Sequence, residues 1–440
     1  MSRSKVPHMA TRQDTNTSRS TVVVRRNQAE TKGTARGLRR HNRALLLSGL
    51  YFGQPRSRLE LGRATGLSQA TVSNVIGDLI EAGLVVEAGL VNSDGGRPRT
   101  LLRVNAAYTH IIGVDVGETR VRAAIVDLAM RPLAAVDHPL ASPRPEPDAV
   151  VEQVLSCVRH VSAEAGVAEG DILGVGVGVP GTVEQGHHAK VHAQVIGWDA
   201  VPLEQMLQAG TKLPIWVENG AKTLGQAEMW FGGGRGARNA VVTLIGSGVG
   251  AAVITDGRIY RGATSSAGEW GHTTLLFDGR RCRCGARGCL EAYVGAEATL
   301  DRWRHARGGR AVPGSDEESS LAALLAAAPT NQTAARVVQD TVDYLGAGIA
   351  GLVNLFNPER IVVAGWAGLA MADYLPQIRE AVGERALRHP FSETTITLGE
   401  LGPDAVALGA ATLPVADLLA YGGTDSEAAE IMGSELPALV

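Results

Sequence analysis

The chain reads as an α/β protein with a small DNA-binding head at its N-terminus. Three observations predict this. Residues 37–105 show a capped helix pair followed by a basic hairpin. From residue 110 to 420, short β-branched runs punctuated by glycine alternate with helical stretches. Charge is also divided between the two parts: residues 1–100 hold 16 Lys+Arg against 7 Asp+Glu, while the whole 440-residue chain stands at −3. A basic head on an acidic body is suited to a polyanion. With 45% hydrophobic and 20% charged residues the chain fits a soluble protein of more than one domain. No apolar run approaches the roughly 18 residues of a membrane span, and the N-terminus lacks the apolar core of a signal peptide. Three of the four cysteines are clustered, which argues against a disulfide scaffold and for a reducing, cytoplasmic setting.

Residues 1–36 are rich in Ser, Thr, Arg, Asn and Gln and are expected to form a disordered basic tail. Helical periodicity then begins near Leu38 and runs to Leu50. A second helix is predicted over residues 58–65, a tight turn at Gly66-Leu67, and a third helix over 68–82 capped by Ser68. Val72, Ile76 and Leu79 fall on one face of that helix, while Gln69, Thr71, Ser73 and Asn74 lie away from it. A helix-turn-helix needs this division, with an apolar face for docking and short polar side chains aimed at base edges. A strand follows Gly83, and its return begins near Thr100. Between them, Asp94-Gly95-Gly96-Arg97-Pro98-Arg99 forms the tip of a wing whose Arg97 and Arg99 suit a minor groove. The expected DNA contacts are therefore Ser68, Gln69, Thr71, Ser73, Asn74, Arg97 and Arg99. The expected partner is a double-stranded operator, palindromic if two heads read it as a homodimer or homotetramer.

In the body, strands are expected at Ile111-Ile112-Gly113-Val114-Asp115, at 121–126, at 173–179, at 240–244 and at 360–364. Helices are expected over 148–165 and 334–356. The stretch 141–148 with its prolines connects strand to helix, 308–320 reads as an exposed loop, and 421–440 as a flexible tail. His272 precedes Cys282, Cys284 and Cys289. One imidazole and three thiolates make the ligand set of a closed, structural zinc site. Gly285 and Gly288 allow the chain to double back so that the sulfurs converge.

Two glycine loops complete the pattern. Asp115-Val116-Gly117-Glu118-Thr119-Arg120 joins two strands, and Gly246-Ser247-Gly248-Val249-Gly250 follows another; such loops turn backbone N–H groups toward an anion. Together with Val179-Pro180-Gly181, Glu218-Asn219, Glu269-x-x-His272, the cysteine cluster with Glu291, and Asn357-Pro358-Glu359, they resemble the ROK family of repressors and sugar kinases over roughly residues 40–415. The match is to its DNA-binding branch. The resemblance implies a two-lobed, actin-like ATPase body behind a winged helix-turn-helix. It also implies a monosaccharide or sugar phosphate held by Asn219, Glu269, His272 and Glu291. Trp198, in a segment that lies near the sugar in relatives, is a candidate for stacking on the ring.

The resemblance to kinases fails at three places. The aspartate that takes the proton from the attacking hydroxyl is replaced by Gly220, and such a base contributes 10²–10⁴-fold in rate. Glu218, next but one before it, should point the other way along an extended segment. The phosphate loop carries Glu118 for a glycine and Arg120 for a lysine. A paired glycine near the adenosine is replaced by Gly365-Trp366. The sequence thus predicts a sugar-responsive regulator that binds its ligand without phosphorylating it. The alternative is an active ATP-dependent kinase that also carries a DNA-binding head.

Overall fold

The computed structural model describes residues 35–93, 96–142, 144–186 and 188–423. The tails expected at 1–36 and 421–440 lie mostly outside that set. Where the edges are described, both shift. Helix α1 already runs Ala35–Tyr51, and Tyr421, Gly422 and Gly423 lie against it instead of extending away.

The head continues with β1 (Arg56–Ser57), α2 (Arg58–Thr65) and α3 (Gln69–Glu81). Ser57 and Glu60 form a reciprocal capping box that starts α2. Gly66 ends it in the left-handed region at φ 71, where glycine carries no Cβ penalty. Ser68 then caps α3, its Oγ accepting from the Thr71 amide at 3.2 Å. Val72, Val75, Ile76 and Leu79 of α3 are buried in one apolar cluster with Leu46 and Leu47 of α1 and Leu61 of α2. β2 (Val85–Ser93) and β3 (Gly96–Val104) form the antiparallel wing, and β1 adds to β3. This is the winged helix-turn-helix arrangement.

The body is two lobes of the same topology. In lobe I, β4 (His110–Val116), β5 (Arg120–Asp127) and β6 (Pro132–Pro139) make an antiparallel meander. α4 (Pro147–Ala165) leads to β7 (Ile172–Val179), parallel to β4. A small antiparallel sheet of β8 (Thr182–Glu184), β9 (Lys190–Ala193) and β10 (Trp198–Val201) follows, then α5 (Leu203–Gln208). β11 (Ile215–Asn219) closes the lobe parallel to β7.

α6 (Gly220–Phe231) crosses to lobe II, where β12 (Ala240–Ile245), β13 (Val249–Thr255) and β14 (Arg258–Ile259) form a second meander. The helices α7 (Glu291–Val294), α8 (Ala296–Ala306), α9 (Glu317–Ala327) and α10 (Gln332–Phe356) come next. β15 (Arg360–Ala364) is parallel to β12. After α11 (Trp366–Ala370), α12 (Leu375–Gly383) and α13 (Arg388–Glu393), β16 (Thr395–Leu398) is parallel to β15. The two sheets therefore run β6-β5-β4-β7-β11 and β14-β13-β12-β15-β16, one plan used twice. The repeated plan is one of strand order and is not matched by a repeat in the residues. The loop expected over 308–320 ends earlier: Asp316 and Ser319 form a capping box, so α9 begins at Glu317.

α14 (Ala405–Ala420) follows lobe II in sequence but packs on β4 and β7 of lobe I. α6 follows lobe I but packs on β12 and β13 of lobe II. The two crossing helices also pack on each other. Glycine makes that approach possible. A Cβ at Gly113 would lie 1.9 Å from the Ala407 carbonyl oxygen, one at Gly176 1.8 Å from that of Ala410, and one at Gly409 2.0 Å from that of Thr223.

Candidate functional site

A cavity of about 490 Å³ opens between the lobes. Its walls come from the C-terminal ends of β4, β7, β11 and β12 and from the starts of the two crossing helices, the usual place for a ligand in such sheets. Asn219, Glu269, His272 and Glu291 all line it.

Asn219 ends β11 and caps α6, its Oδ1 accepting from the Lys222 amide at 3.0 Å and its Nδ2 donating to the Gly181 carbonyl at 2.5 Å. The amide still has one lone pair and one N–H left for a ligand. The half-buried Glu269 carboxylate makes no hydrogen bond among the described residues. Burial holds it above the usual carboxylate range, while His272 and Lys222 pull it back. Glu291, at the start of α7, is buried and accepts from the Val249 amide at 3.0 Å, which ties it to the glycine loop. Glu218 faces away from the cavity, as its place in the strand predicts, and pairs with Arg261.

His272, Cys282, Cys284 and Cys289 converge, with their ligand atoms all within 4.8 Å of one another. The Cys284–Cys289 sulfurs are 3.8 Å apart, and Cys282 Sγ is 3.8 Å from His272 Nδ1. A tetrahedron with metal–sulfur bonds of about 2.3 Å has edges of about 3.8 Å, so the set fits a metal ion. Gly288 permits the hairpin: it has φ 78, and a Cβ there would lie 1.8 Å from the Leu276 carbonyl oxygen.

The cavity wall beside Glu291 is crowded with charge. Glu118 neither points outward nor pairs with Arg120. Its partner is Arg283, reached across the cleft from between two of the clustered cysteines. Arg283 also approaches Glu291 at 3.4 Å and Glu297 at 3.1 Å. Arg120 pairs with Asp137 at 2.7 Å, and Arg122 bridges the lobes to Glu318 of α9 at 2.7 Å. The Trp366 indole lies over Gly246, where a Cβ would be 3.0 Å from Nε1. Gly220 offers no side chain at the start of α6, although a Cβ there would make only ordinary contacts at 3.5 Å and beyond. Burial raises Asp115, at the end of β4, to about 7 against the counter-pull of Arg122.

Trp198 corrects the stacking expectation. It is buried in the lobe I core, donates from Nε1 to the Pro145 carbonyl at 2.9 Å, and is absent from the cavity wall. Sequence reasoning missed Arg283 and Glu318, because nothing local signals a partner more than a hundred residues away. In the head, Ser68, Gln69, Ser73, Asn74 and Arg99 are exposed and Thr71 is half-buried. Ser68 and Thr71 also share a hydroxyl contact at 2.9 Å. Arg97 belongs to β3, but its side chain lies outside the described residues.

These features define a two-lobed protein of actin-like topology carrying a winged helix-turn-helix. The sequence matches the ROK family over residues 111–416, and the chain belongs to that family. It is 29% identical to a xylose repressor from Caldicellulosiruptor bescii over 87% of this chain and 98% of that protein. It is 31% identical to a glucokinase from Halalkalibacterium halodurans over 68% of this chain and 92% of that one. Among solved structures, a ROK family transcriptional regulator, a homolog of the E. coli MLC protein, superposes with a TM-score of 0.72. That likeness, at 24% identity over 88% of this chain and 98% of the other, establishes the shared fold. A ROK glucokinase from Streptomyces griseus bound to glucose and AMPPNP gives 0.61 at 26% identity, over 69% of this chain and 98% of that one.

The Asp115 shift yields a signed prediction. Because its folded pKa of about 7 lies above the ordinary aspartate value of 3.8, the protonated form favours folding, and that contribution is lost as pH rises from about 4 through about 7. Wild type should therefore lose stability over this window relative to Asp115→Asn, by on the order of 3 kcal/mol. Urea unfolding of both proteins at a series of pH values measures the difference; parallel curves would contradict it.

Proposed function

We propose that the chain is a sugar-responsive transcriptional repressor whose kinase-like body binds a free monosaccharide and does not phosphorylate it. The carrying observation is one cleft lined by two unlike sets of residues. Asn219, Glu269, His272 and Glu291 keep hydrogen-bonding capacity for vicinal hydroxyls. Beside them, Glu118 is paired with Arg283, Trp366 lies over the glycine loop, and position 220 is glycine. Relatives named xylose repressor and N-acetylglucosamine repressor support the reading. In the head, Gln69, Ser73 and Asn74 of α3 are offered to base edges, with Ser68, Thr71, Arg97 and Arg99 beside the backbone and minor groove.

Charge favours the free sugar over its phosphate. Seven carboxyl groups line the cavity against two arginines, Arg120 and Arg122, with Arg283 reaching in to Glu118, and all three arginines are already paired. Burial pushes Glu118, Glu269 and Glu317 upward, the mark of a site where negative charge is already costly. A further unit of negative charge at 4 Å from one of these would cost about 4 kcal/mol at an effective dielectric near 20. His272, Cys282, Cys284 and Cys289 are assigned a structural zinc, which would pin the loop that carries Arg283 and the neighbouring Glu291. The protein acts as a cytoplasmic homodimer or homotetramer, which places two heads on successive major grooves of a palindromic operator.

Mobility shift on a duplex selected from a random pool tests the reading. Free D-xylose, D-glucose or N-acetylglucosamine should release the DNA at concentrations about tenfold or more below those needed for the corresponding phosphates. Asn219→Ala should abolish release and leave DNA affinity without sugar nearly intact. No release by any of them, or preferential release by a phosphate, would overturn the proposal. Elemental analysis should find one zinc per chain, lost in Cys289→Ser. Chelation should raise the sugar concentration needed for release before it weakens DNA binding; a metal-free protein with an unchanged response would refute the zinc assignment.

A further inference from the structure

Both helices that line the cleft floor end on the DNA-binding head. α6 starts at the cavity with Gly220, Ala221 and Leu224 on its wall. Its other end carries Trp230 and Phe231, which meet the end of α1. The Phe52 and Trp230 rings are 4.8 Å apart edge-on, Tyr51 and Trp230 6.1 Å, and Tyr51 and Phe231 6.3 Å. α14 starts with Ala405 and Val406 on the cavity wall. It runs into Tyr421-Gly422-Gly423, which grips the middle of α1. Arg43 Nε donates to the Gly422 carbonyl at 2.8 Å, and the Arg40 guanidinium lies 5.4 Å over the Tyr421 ring.

The fit at this second grip is tight. A Cβ at Gly422 would lie 2.5 Å from Arg43 Cβ, and one at Gly423 2.3 Å from Leu84 Cδ2. α1 in turn shares its apolar cluster with α3, the helix that carries the expected base contacts. The same cluster continues without a break into Ala411, Val415, Leu418 and Leu419 of α14. With 12 and 16 residues, the two helices span about 18 Å and 24 Å at 1.5 Å per residue.

We infer that α6 and α14 form a paired rod that sets the pose of the head from the state of the cleft, with Trp230 and Phe52 as its positioning residues. The physical reason is close packing at every joint. The rods touch each other backbone to backbone at Gly409, and their far ends hold α1 at two separated points. A lobe rotation that turns α6 against α14 must therefore shift or strain α1. Two grips convert a relative rotation into a tilt, which a single contact would not do. This rests on the sugar-responsive reading for its purpose but not for its geometry.

Energetic coupling is reciprocal, so the rod is testable from the head without any sugar. Hydrogen exchange on the full-length chain compares wild type with Phe52→Ala, a change on the head side only. The coupling predicts at least a threefold rise in exchange of amides 221–228 and 405–412, with the lobe II core of α10 and β15 unchanged. A rise confined to residues 40–104 would overturn it. If Phe52→Ala raises exchange everywhere, Phe52→Leu, which keeps most of the apolar volume and loses the ring contact, is the deciding variant under the same criteria. Since no sugar enters this experiment, its failure would refute the coupling alone, whereas failure of the sugar reading shows in the DNA-release assay.

Discussion

The structure depends on one close approach, the backbone-to-backbone packing of the two crossing helices between the lobes. Thr223 in α6 presents its carbonyl to Gly409 in α14, and α14 presents its own carbonyls to Gly113 and Gly176 in lobe I. Any side chain at those glycines would push the helices apart by an ångström or more. The separation sets where Asn219 and Gly220 begin α6, and hence the floor of the cleft. It also sets where Trp230 and Tyr421 arrive, and hence the seat of the head. The cleft and the helix-turn-helix head therefore share a single mechanical base.

Across the cleft, the Glu118–Arg283 and Arg122–Glu318 ion pairs join the two lobes. Such partly buried pairs stabilise little on their own, because desolvation offsets their attraction. Their effect is on geometry: they tie lobe I to lobe II across the cleft. Arg283 reaches across from the turn between Cys282 and Cys284, and its approach to Glu291 links that turn to the start of α7. A sugar hydroxyl on Glu291 would compete with Arg283 and so be felt at Glu118.

Much of this was legible in the sequence, and the reason is locality. The capped helices of the head, the glycine loops, and the cysteine cluster with His272 are patterns within a few to twenty residues, and each fixes its own geometry. Gly220 and Glu118 stood out because a short motif has definite places for other residues. Long-range pairings were not legible. Arg283 lies 165 positions from Glu118, and Arg122 lies 196 from Glu318, with no spacing rule to join them. Trp198 was misplaced for a related reason: an indole near a site by sequence is also a large apolar surface, and burial in the lobe I core with its N–H satisfied by Pro145 was the stronger demand. The twofold use of one strand order was hidden because topology leaves no repeat in the residues.

The central claim is that this cleft binds sugar but has lost phosphoryl transfer. The direct measurement is transfer of radiolabelled γ-phosphate from ATP to a panel of pentoses and hexoses by the full-length protein. The account predicts no sugar phosphate above the protein-free background for any of them. Sustained turnover in the range of working kinases, about 1–100 s⁻¹, would contradict it.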